Sequence, residues 1–308
     1  MKKFIILGAF MAAPLCAHAQ EAQETQADLE PAVELAAELS NPNILRPGAA
    51  ELYEGYSWLT EPKELQRGSL TPTSSFSIDA SRDAICDTTE NDWGWQPGSC
   101  RIIDAMILQP TEAIDTLIIE KPNSDGYVTF DDWEAADREK QINQIWDDMV
   151  EGLKGQSANL GIEITADDWF VYPTLNRDKA YLYYATRMDW AGDPVINVEA
   201  TRFDRRGYVK FSLVPFNDDI SAEEIERELE TILTAYEPNA EQSYADFEEG
   251  DKVAAAGAVG VLAALAGVKF AKSAGLLGAA LLLLKKFWFV LLAPFAFLRR
   301  LFSGKKED

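Results

Sequence analysis

The sequence has one histidine and three cysteines among 308 residues. The histidine, His18, lies in a segment that we predict is removed on export, so histidine-dependent catalytic triads and histidine-ligated metals are excluded from the mature protein. The chain also lacks the G-x-S-x-G, P-loop and G-x-G-x-x-G motifs of common hydrolases, nucleotide-binding and dinucleotide-binding proteins. We therefore predict no catalytic residue, no metal and no cofactor.

Residues 1–19 have the features of a secretory signal peptide. Lys2 and Lys3 form its charged start, Phe4 to Ala13 its apolar run, and Ala17 to Ala19 a small-x-small cleavage site. An uncleaved anchor is disfavoured because the apolar run is about half the roughly 20 residues of a membrane span. Cleavage would also remove Cys16.

Cys86 and Cys100 are then the two cysteines of the mature chain. Disulfides form and persist in oxidising compartments outside the cytoplasm, so we predict that this pair is bonded. The short loop between them would gain about 3 kcal/mol from the restricted unfolded chain. The pair lacks C-x-x-C spacing, which favours a structural role over a redox one.

The net charge of −23 is unevenly distributed. Between Gln20 and Asp251 there are 49 acidic and 17 basic residues, whereas from Lys252 onward nine basic residues face two acidic ones. Nucleic-acid binding requires concentrated lysine and arginine, so we predict no nucleic-acid partner for the acidic part.

The predicted fold class is α+β: a mostly antiparallel sheet with two inserted helices, followed by a C-terminal membrane-helix module. Residues 20–75 are predicted to be a flexible, acidic and proline-containing lead-in with a short helix, residues 76–237 the extracytoplasmic domain, and residues 238–252 a charged neck. One helix is expected from Asp131 or Asp132 to Leu153, and another after a capping box of Ser221 and Glu224. The expected strands are Arg101–Leu108, Thr116–Glu120, Gly126–Phe130, Trp169–Tyr172, Ala180–Met188, Val195–Thr201 and Tyr208–Val214.

Residues 253–298 are predicted to form the membrane module. Val253 to Val268 is an uncharged run, short for a span, and its small residues recur at helical spacing that favours close helix packing in a bilayer. These are Ala256, Gly260, Ala264 and Gly267. Ala274 to Leu298 is more apolar but contains Lys285 and Lys286, so it would lie along the inner leaflet or, alternatively, be the sole span. Either arrangement places the basic tail, residues 299–308, in the cytoplasm.

Arg202, Arg205 and Arg206 form a basic patch in the acidic domain, at a predicted hairpin turn that ends in Gly207. Guanidinium groups bind carboxylates and phosphates, so the patch would seat such a group or an acidic surface of a partner. The alternative is that these arginines pair with acidic residues of the chain itself.

Aspartate precedes tryptophan four times, at Asp92, Asp132, Asp168 and Asp189. Two carboxylates that flank a bond are what a glycosidase needs, and aromatic rings often accompany sugars. The alternative is that these aspartates cap helices and turns while the tryptophans pack in the core.

The order of several sequence blocks resembles a bacterial family of membrane-anchored proteins of unknown function, domain of unknown function 2167, from about Phe76 to the C-terminus. The blocks are Gly126-Tyr127-Val128, the strand Ala180 to Ala185, Asn197 followed by Arg205-Arg206-Gly207-Tyr208, and Tyr244 to Lys252, which is the most specific. Asp204 stands where such proteins often carry glycine. The resemblance implies a signal peptide, an extracytoplasmic domain and a C-terminal anchor, and it implies no activity.

These observations together predict a membrane-anchored extracytoplasmic binding or scaffold protein of the bacterial inner membrane, with its main domain in the periplasm. Its expected partners are the lipid bilayer and an envelope protein, or a second copy bound through the membrane helices. The alternatives are a carboxylate-dependent envelope enzyme that acts on glycan, and a subunit of a multi-protein membrane assembly.

Overall fold

The computed structural model describes residues 52–93 and 95–268. These residues contain eleven strands and four helices. The strands are β1 (Tyr56–Trp58), β2 (Lys63–Leu65), β3 (Gly68–Leu70), β4 (Ile78–Ala80), β5 (Ile103–Leu108), β6 (Ile114–Glu120), β7 (Ile164–Asn176), β8 (Tyr181–Trp190), β9 (Asp193–Asp204), β10 (Gly207–Pro215) and β11 (Tyr236–Pro238). The helices are α1 (Arg82–Cys86), α2 (Arg138–Leu160), α3 (Ala222–Ala235) and α4 (Ala258–Leu265).

Eight strands form one sheet in the order β1-β4-β5-β6-β10-β9-β8-β7. All neighbouring pairs are antiparallel. A smaller antiparallel sheet has the order β11-β3-β2. The prediction of a mostly antiparallel sheet is therefore confirmed. The physical reason is that short connections, such as the turn of the β9–β10 hairpin, join antiparallel neighbours.

Helix α3 covers one face of the large sheet. Ser221 caps it by accepting a hydrogen bond from the Glu224 amide, as the capping box predicts. Its buried residues Ile225, Leu229 and Ile232 belong to the same core cluster as strand residues from β5 to β10. The predicted amphipathic stripe therefore supplies one side of the main core.

Two of the helices pack on the opposite face. Near one edge, Leu153 of α2 packs with Met188 and Trp190 of β8. Towards the other edge, Ile85 of α1 and the disulfide-bonded Cys100 pack against strands β5 and β6. The sheet is thus the middle layer of the domain, with helical elements on both sides.

The fold begins earlier in the chain than the pattern of the sequence indicated. Strands β1, β2 and β3 lie within the segment predicted to be a flexible lead-in, and β4 follows directly. Each is three residues long, which is too short for a visible alternation of apolar and polar residues. The described residues Gly126–Phe130 do not form the expected strand. Helix α2 begins at Arg138 rather than at Asp131 or Asp132, because Asp131–Trp133 forms a separate 3-10 turn.

The predicted C-terminal membrane-helix module is wrong for residues 253–268. Helix α4 has eight residues, about 12 Å of helix against the roughly 30 Å core of a bilayer. Val259, Leu262 and Ala263 are buried in this structure. Within the described part of the chain, no helix has the length and apolar character needed to cross a membrane. Hydropathy does not distinguish burial in lipid from burial in protein, so an apolar run of this kind does not by itself predict a membrane span.

The small-residue stripe of α4 is not the buried side of this helix. Ala256 and Ala264 are exposed and Gly260 is half-buried. Gly267 follows the helix with a φ of 70°, the left-handed conformation that commonly ends helices. The predicted signal peptide, the segment Ala274–Leu298 and the tail 299–308 lie outside the described residues.

Candidate functional site

The predicted disulfide is confirmed. Cys86 at the end of α1 is bonded to Cys100, with an S–S distance of 2.01 Å. The Glu90 carboxylate reinforces the same loop by accepting hydrogen bonds from the backbone amides of Gly98 (2.8 Å) and Cys100 (3.1 Å). Glu90 and the two sulfurs lie close enough to suggest a metal site, but bonded sulfurs are not the thiolates that bind metals. The disulfide and the Glu90 hydrogen bonds therefore have a structural role in holding this loop.

The aspartates of the four Asp-Trp pairs lie on separate elements. Asp132 is buried in the 3-10 turn, with its carboxylate against Gly257 at the start of α4. Asp168 is exposed on the edge strand β7. Asp189 accepts a hydrogen bond from the Gly192 amide and so closes the β8–β9 turn. The surroundings of these three aspartates therefore differ in access and role. Asp189 closes a turn, as the structural alternative expects, whereas Asp168 lies within a strand and the N-cap of α2 is Asp137 rather than Asp132.

The three arginines of the predicted patch are separated by the hairpin. Arg202 lies within β9, and its guanidinium donates to the carbonyl of Lys179. Burial lowers the pKa of Arg202. Arg205 and Arg206 form the two-residue turn between β9 and β10. The structure therefore brings together two of the three residues.

A buried ion pair holds that turn. Asp204 is fully buried, and Arg67 donates from Nη1 to both of its carboxylate oxygens at 2.8 Å. The same carboxylate accepts a hydrogen bond of 2.7 Å from the Arg206 amide. Gly207 passes so close to the neighbouring loop that a Cβ there would lie 2.3 Å from the carbonyl oxygen of Asn123. The hydrogen bond to the Arg206 amide and the close approach of Gly207 to Asn123 thus hold the backbone of the turn in place.

The positive charge of Arg205 is balanced by carboxylates of the charged neck. Its Nε donates to Asp251 at 2.7 Å, and its Nη2 lies 3.0 Å from a carboxylate oxygen of Glu248. The hydrogen bond from Arg205 lowers the pKa of Asp251. This pairing is the intramolecular alternative that we considered for the patch, and it applies to Arg205.

An aromatic stack lies beside this ion pair. The ring of Tyr127 is 4.4 Å from that of Tyr244 and 4.2 Å from that of Phe247, between centroids. Tyr244 also stacks on Phe130 at 4.7 Å. Burial is the largest cause of the raised pKa of Tyr244, and the side chain of Tyr127 is the second. The stack joins the segment after β6 to the neck through apolar contact.

The backbone completes the same junction. The Tyr127 amide donates to the Lys252 carbonyl, and the Ala254 amide donates to the Tyr127 carbonyl, both at 2.8 Å. Gly126 has a φ of 124°, and a Cβ at this position would lie 2.6 Å from the Lys252 carbonyl oxygen. Only glycine fits here without displacement of the neck.

An open cleft of about 520 Å³ lies at this junction, and we call it the arginine cleft. Arg206 is exposed and, among the described residues, has no carboxylate within 4.0 Å that would pair with it. The side-chain oxygen of Gln242 is buried and has no hydrogen-bond partner in the described part of the chain. The lining residues are Arg205, Arg206, Glu241, Gln242, Ala245, Asp246, Phe247 and Glu248. In the described structure the cleft is therefore lined by an arginine without a carboxylate partner and by several carboxylates.

A second polar cluster is buried in the sheet face opposite α3. Glu199 accepts a hydrogen bond from Ser212 at 2.8 Å and lies 3.3 Å from the Lys210 ammonium, which also pairs with Glu120 at 3.0 Å. Burial raises the pKa of Glu199 to about 7, against the opposing effect of Lys210. Ser212 is only 3% exposed. A substrate cannot reach this hydroxyl in the folded domain, so the cluster is not a nucleophilic site.

The sequence did not identify Gln242, Tyr127 or the carboxylates of the neck as parts of a site. Tyr127 and the carboxylates of the neck do lie, however, in the blocks that carry the family resemblance, whereas Gln242 lies just before the last of them. Gly126 to Val128, Arg205 to Tyr208 and Tyr244 to Lys252 are distant in sequence and meet around the arginine cleft. The motifs thus mark one place in the fold.

A family model described as "Protein of unknown function (DUF2167)" matches residues 66–296. The match starts ten residues before the Phe76 boundary that the resemblance suggested, and it includes β3. No curated protein matches the chain.

Proposed function

We propose that this chain, which belongs to the DUF2167 family of proteins of unknown function, is an extracytoplasmic binding protein that holds a small anionic group at Arg206 in the arginine cleft. The observation that carries the proposal is the exposed guanidinium of Arg206, which has no carboxylate partner within residues 52–93 and 95–268, in a cleft of about 520 Å³. Clefts of this size are typical of small-molecule sites.

The difference between the two turn arginines supports this assignment. Arg205 has two carboxylate partners, Asp251 and Glu248, which hold it in place and offset its charge. Arg206 keeps its charge available although acidic residues outnumber basic ones 51 to 28 in the chain. A guanidinium presents parallel N–H donors that match a carboxylate or a phosphate, and such charge-assisted hydrogen bonds are strong.

The turn is also rigid, which favours binding. The buried Asp204 carboxylate fixes the Arg206 amide, and Arg67 fixes Asp204. A backbone that is already ordered loses little conformational entropy when a ligand binds. A partner protein could present the same anionic group as an exposed carboxylate.

Two features support a location outside the cytoplasm. Residues 1–19 have the pattern of a secretory signal peptide. The Cys86–Cys100 disulfide is of a kind that persists in oxidising compartments. The proposal places the binding domain there and assigns no membrane-spanning role to α4.

Calorimetric titration of the purified full-length protein tests the binding role. The probes are inorganic phosphate, succinate and the free amino acid glutamate. We expect at least one to bind, and we expect Arg206→Gln to weaken that binding about 10-fold or more, since a hydrogen bond to a charged group contributes about 1.5–3 kcal/mol.

Arg227→Gln is the matched control. Arg227 is an exposed arginine of α3 whose guanidinium bonds to the carbonyl of Glu223 within its own helix, and it does not line the cleft. This substitution should leave the affinity unchanged. If no probe binds, or if both substitutions weaken binding equally, Arg206 is not the anion site.

A further inference from the structure

We infer that Glu248 is an internal competitor of the anionic ligand. Its carboxylate occupies Arg205 in the free protein, and the ligand displaces it, so that both arginines of the turn bind the anion. The inference rests on the proposed function, because Arg206 supplies the first contact to that anion. It adds Arg205 as a second binding residue and Glu248 as a side chain that sets the affinity.

The first observation is the place of the Glu248 carboxylate. Arg205, Arg206 and Glu248 all line the arginine cleft, and a carboxylate oxygen of Glu248 lies 3.0 Å from Nη2 of Arg205. Glu248 therefore presents to one arginine of the cleft the same chemical group as a carboxylate ligand. An anion that binds the neighbouring Arg206 meets this ion pair and competes for the same N–H donors.

The second observation is that the contact between Glu248 and Arg205 is easily broken. The Glu248 side chain is 75% exposed, so water can hydrate its carboxylate as soon as it leaves the arginine. Exposed ion pairs contribute only about a 1.5- to 5-fold change in an equilibrium constant. A ligand therefore loses no more than about this factor in affinity when it displaces Glu248.

Arg205 does not depend on Glu248 for its position. One carboxylate oxygen of Asp251 accepts a hydrogen bond from Nε of Arg205 at 2.7 Å, and the other accepts one from Nη2 at 3.2 Å. The Asp251 side chain is only 25% exposed. This two-point contact keeps the guanidinium in the cleft when Glu248 leaves.

The neck does not depend on the Glu248 side chain either. The Glu248 amide donates to the Asp251 carboxylate at 2.9 Å, and the Glu248 carbonyl accepts from the Asp251 amide at 3.0 Å. Both bonds use backbone atoms of Glu248. A substitution of its side chain therefore leaves the backbone of the neck in place and tests competition for Arg205.

The test is calorimetric titration of the full-length protein with inorganic phosphate, succinate and glutamate. Glu248→Gln removes the negative charge and keeps the size of the side chain. We expect it to tighten, by about 2- to 5-fold, the binding of any probe that depends on Arg206. A side chain with a purely structural role would weaken binding or leave it unchanged.

Glu249→Gln is the matched control. Glu249 is the next residue, is exposed, does not line the cleft and forms no ion pair with another residue of the described chain. It reports the effect of one negative charge fewer, and at about 0.15 M salt such an effect is largely screened beyond about 8 Å. We therefore expect its affinity to stay close to that of the wild type.

Nitrogen NMR of the arginine side chains supplies a second readout, because the guanidinium signals of Arg205 should shift together with those of Arg206 as the probe is added. Equal affinities of the two glutamine variants, or Arg205 signals that do not move, would show that the ligand does not displace Glu248, and the anion site at Arg206 would stand. If no probe binds with dependence on Arg206, the proposed function and this inference are both wrong.

Discussion

The buried carboxylate of Glu199 should make the stability of the domain depend on pH. Glu199 is 2% exposed, and burial raises its pKa from 4.5 to about 7. A group whose pKa is higher in the folded protein contributes stability that is complete below its unfolded pKa and is lost as the pH rises through the folded value. The loss should therefore fall between pH 4.5 and about pH 7.

The two pKa values set the magnitude. At about 1.4 kcal/mol for each pH unit, the interval between 4.5 and about 7 corresponds to about 3 kcal/mol of unfolding free energy. Exposed acidic residues also change the stability of such an acidic chain with pH, so the comparison must isolate Glu199. Glu199→Gln does so, because a neutral amide can still accept the hydrogen bond from Ser212, and Lys210 keeps its ion pair with Glu120.

The assay is urea denaturation of the full-length, oxidised protein at several pH values from 4.5 to 8. We expect the wild type to lose about 3 kcal/mol more than Glu199→Gln over this range. Glu112→Gln changes an exposed glutamate between β5 and β6 and should behave as the wild type. Equal pH dependence of the wild type and Glu199→Gln would refute the reasoning, since the carboxylate would then be ionised in the folded state without cost.

Three further predictions concern the structure around the cleft and the disulfide. Asp204→Ala should lower the unfolding free energy by about 3 kcal/mol in urea denaturation, because it leaves the largely buried guanidinium of Arg67 without its carboxylate partner; an unchanged midpoint would contradict this. Gly126→Ala should destabilise the domain by about 1–3 kcal/mol, because its Cβ would collide with the Lys252 carbonyl oxygen. Gly152→Ala, in open space on α2, is the control and should stabilise the domain by about 0.5–1 kcal/mol. The same shift of the thermal midpoint for both variants would refute the close contact at Gly126. Replacing Cys86 and Cys100 together with serine should cost about 3 kcal/mol of stability, and a thermal midpoint that is the same with and without reductant would show that the bridge does not constrain the chain.

The membrane prediction failed for a physical reason that applies beyond α4. The uncharged run Val253–Val268 is apolar enough to suggest a span, but Val259, Leu262 and Ala263 are buried in an eight-residue helix. Transfer out of water favours lipid and protein interiors alike, so hydropathy alone gives the same answer for both. Tertiary contacts, such as the pairing of Val253 with Tyr127, decide between them.

The arginine patch shows a similar limit. The hairpin turn at Arg205 and Arg206 was predictable from the glycine that follows and from the flanking β-rich segments. The sequence could not show that Arg205 pairs with Asp251, 46 residues later, while Arg206 has no carboxylate partner among the described residues. Ion pairs between distant residues depend on how the chain folds back, and local patterns carry no information about that.

The sequence by itself determined the local features of this protein: the α3 helix with its Ser221 cap, the long central strands, and the cysteine pair. Each depends on the spacing of residues within a short stretch or on the exclusion of other partners. Only the tertiary structure decided that the neck from Tyr244 to Lys252 packs on Tyr127, and that an open cleft forms beside Arg206. Both depend on contacts between segments far apart in the chain, which burial and hydrogen bonding select together when the domain folds.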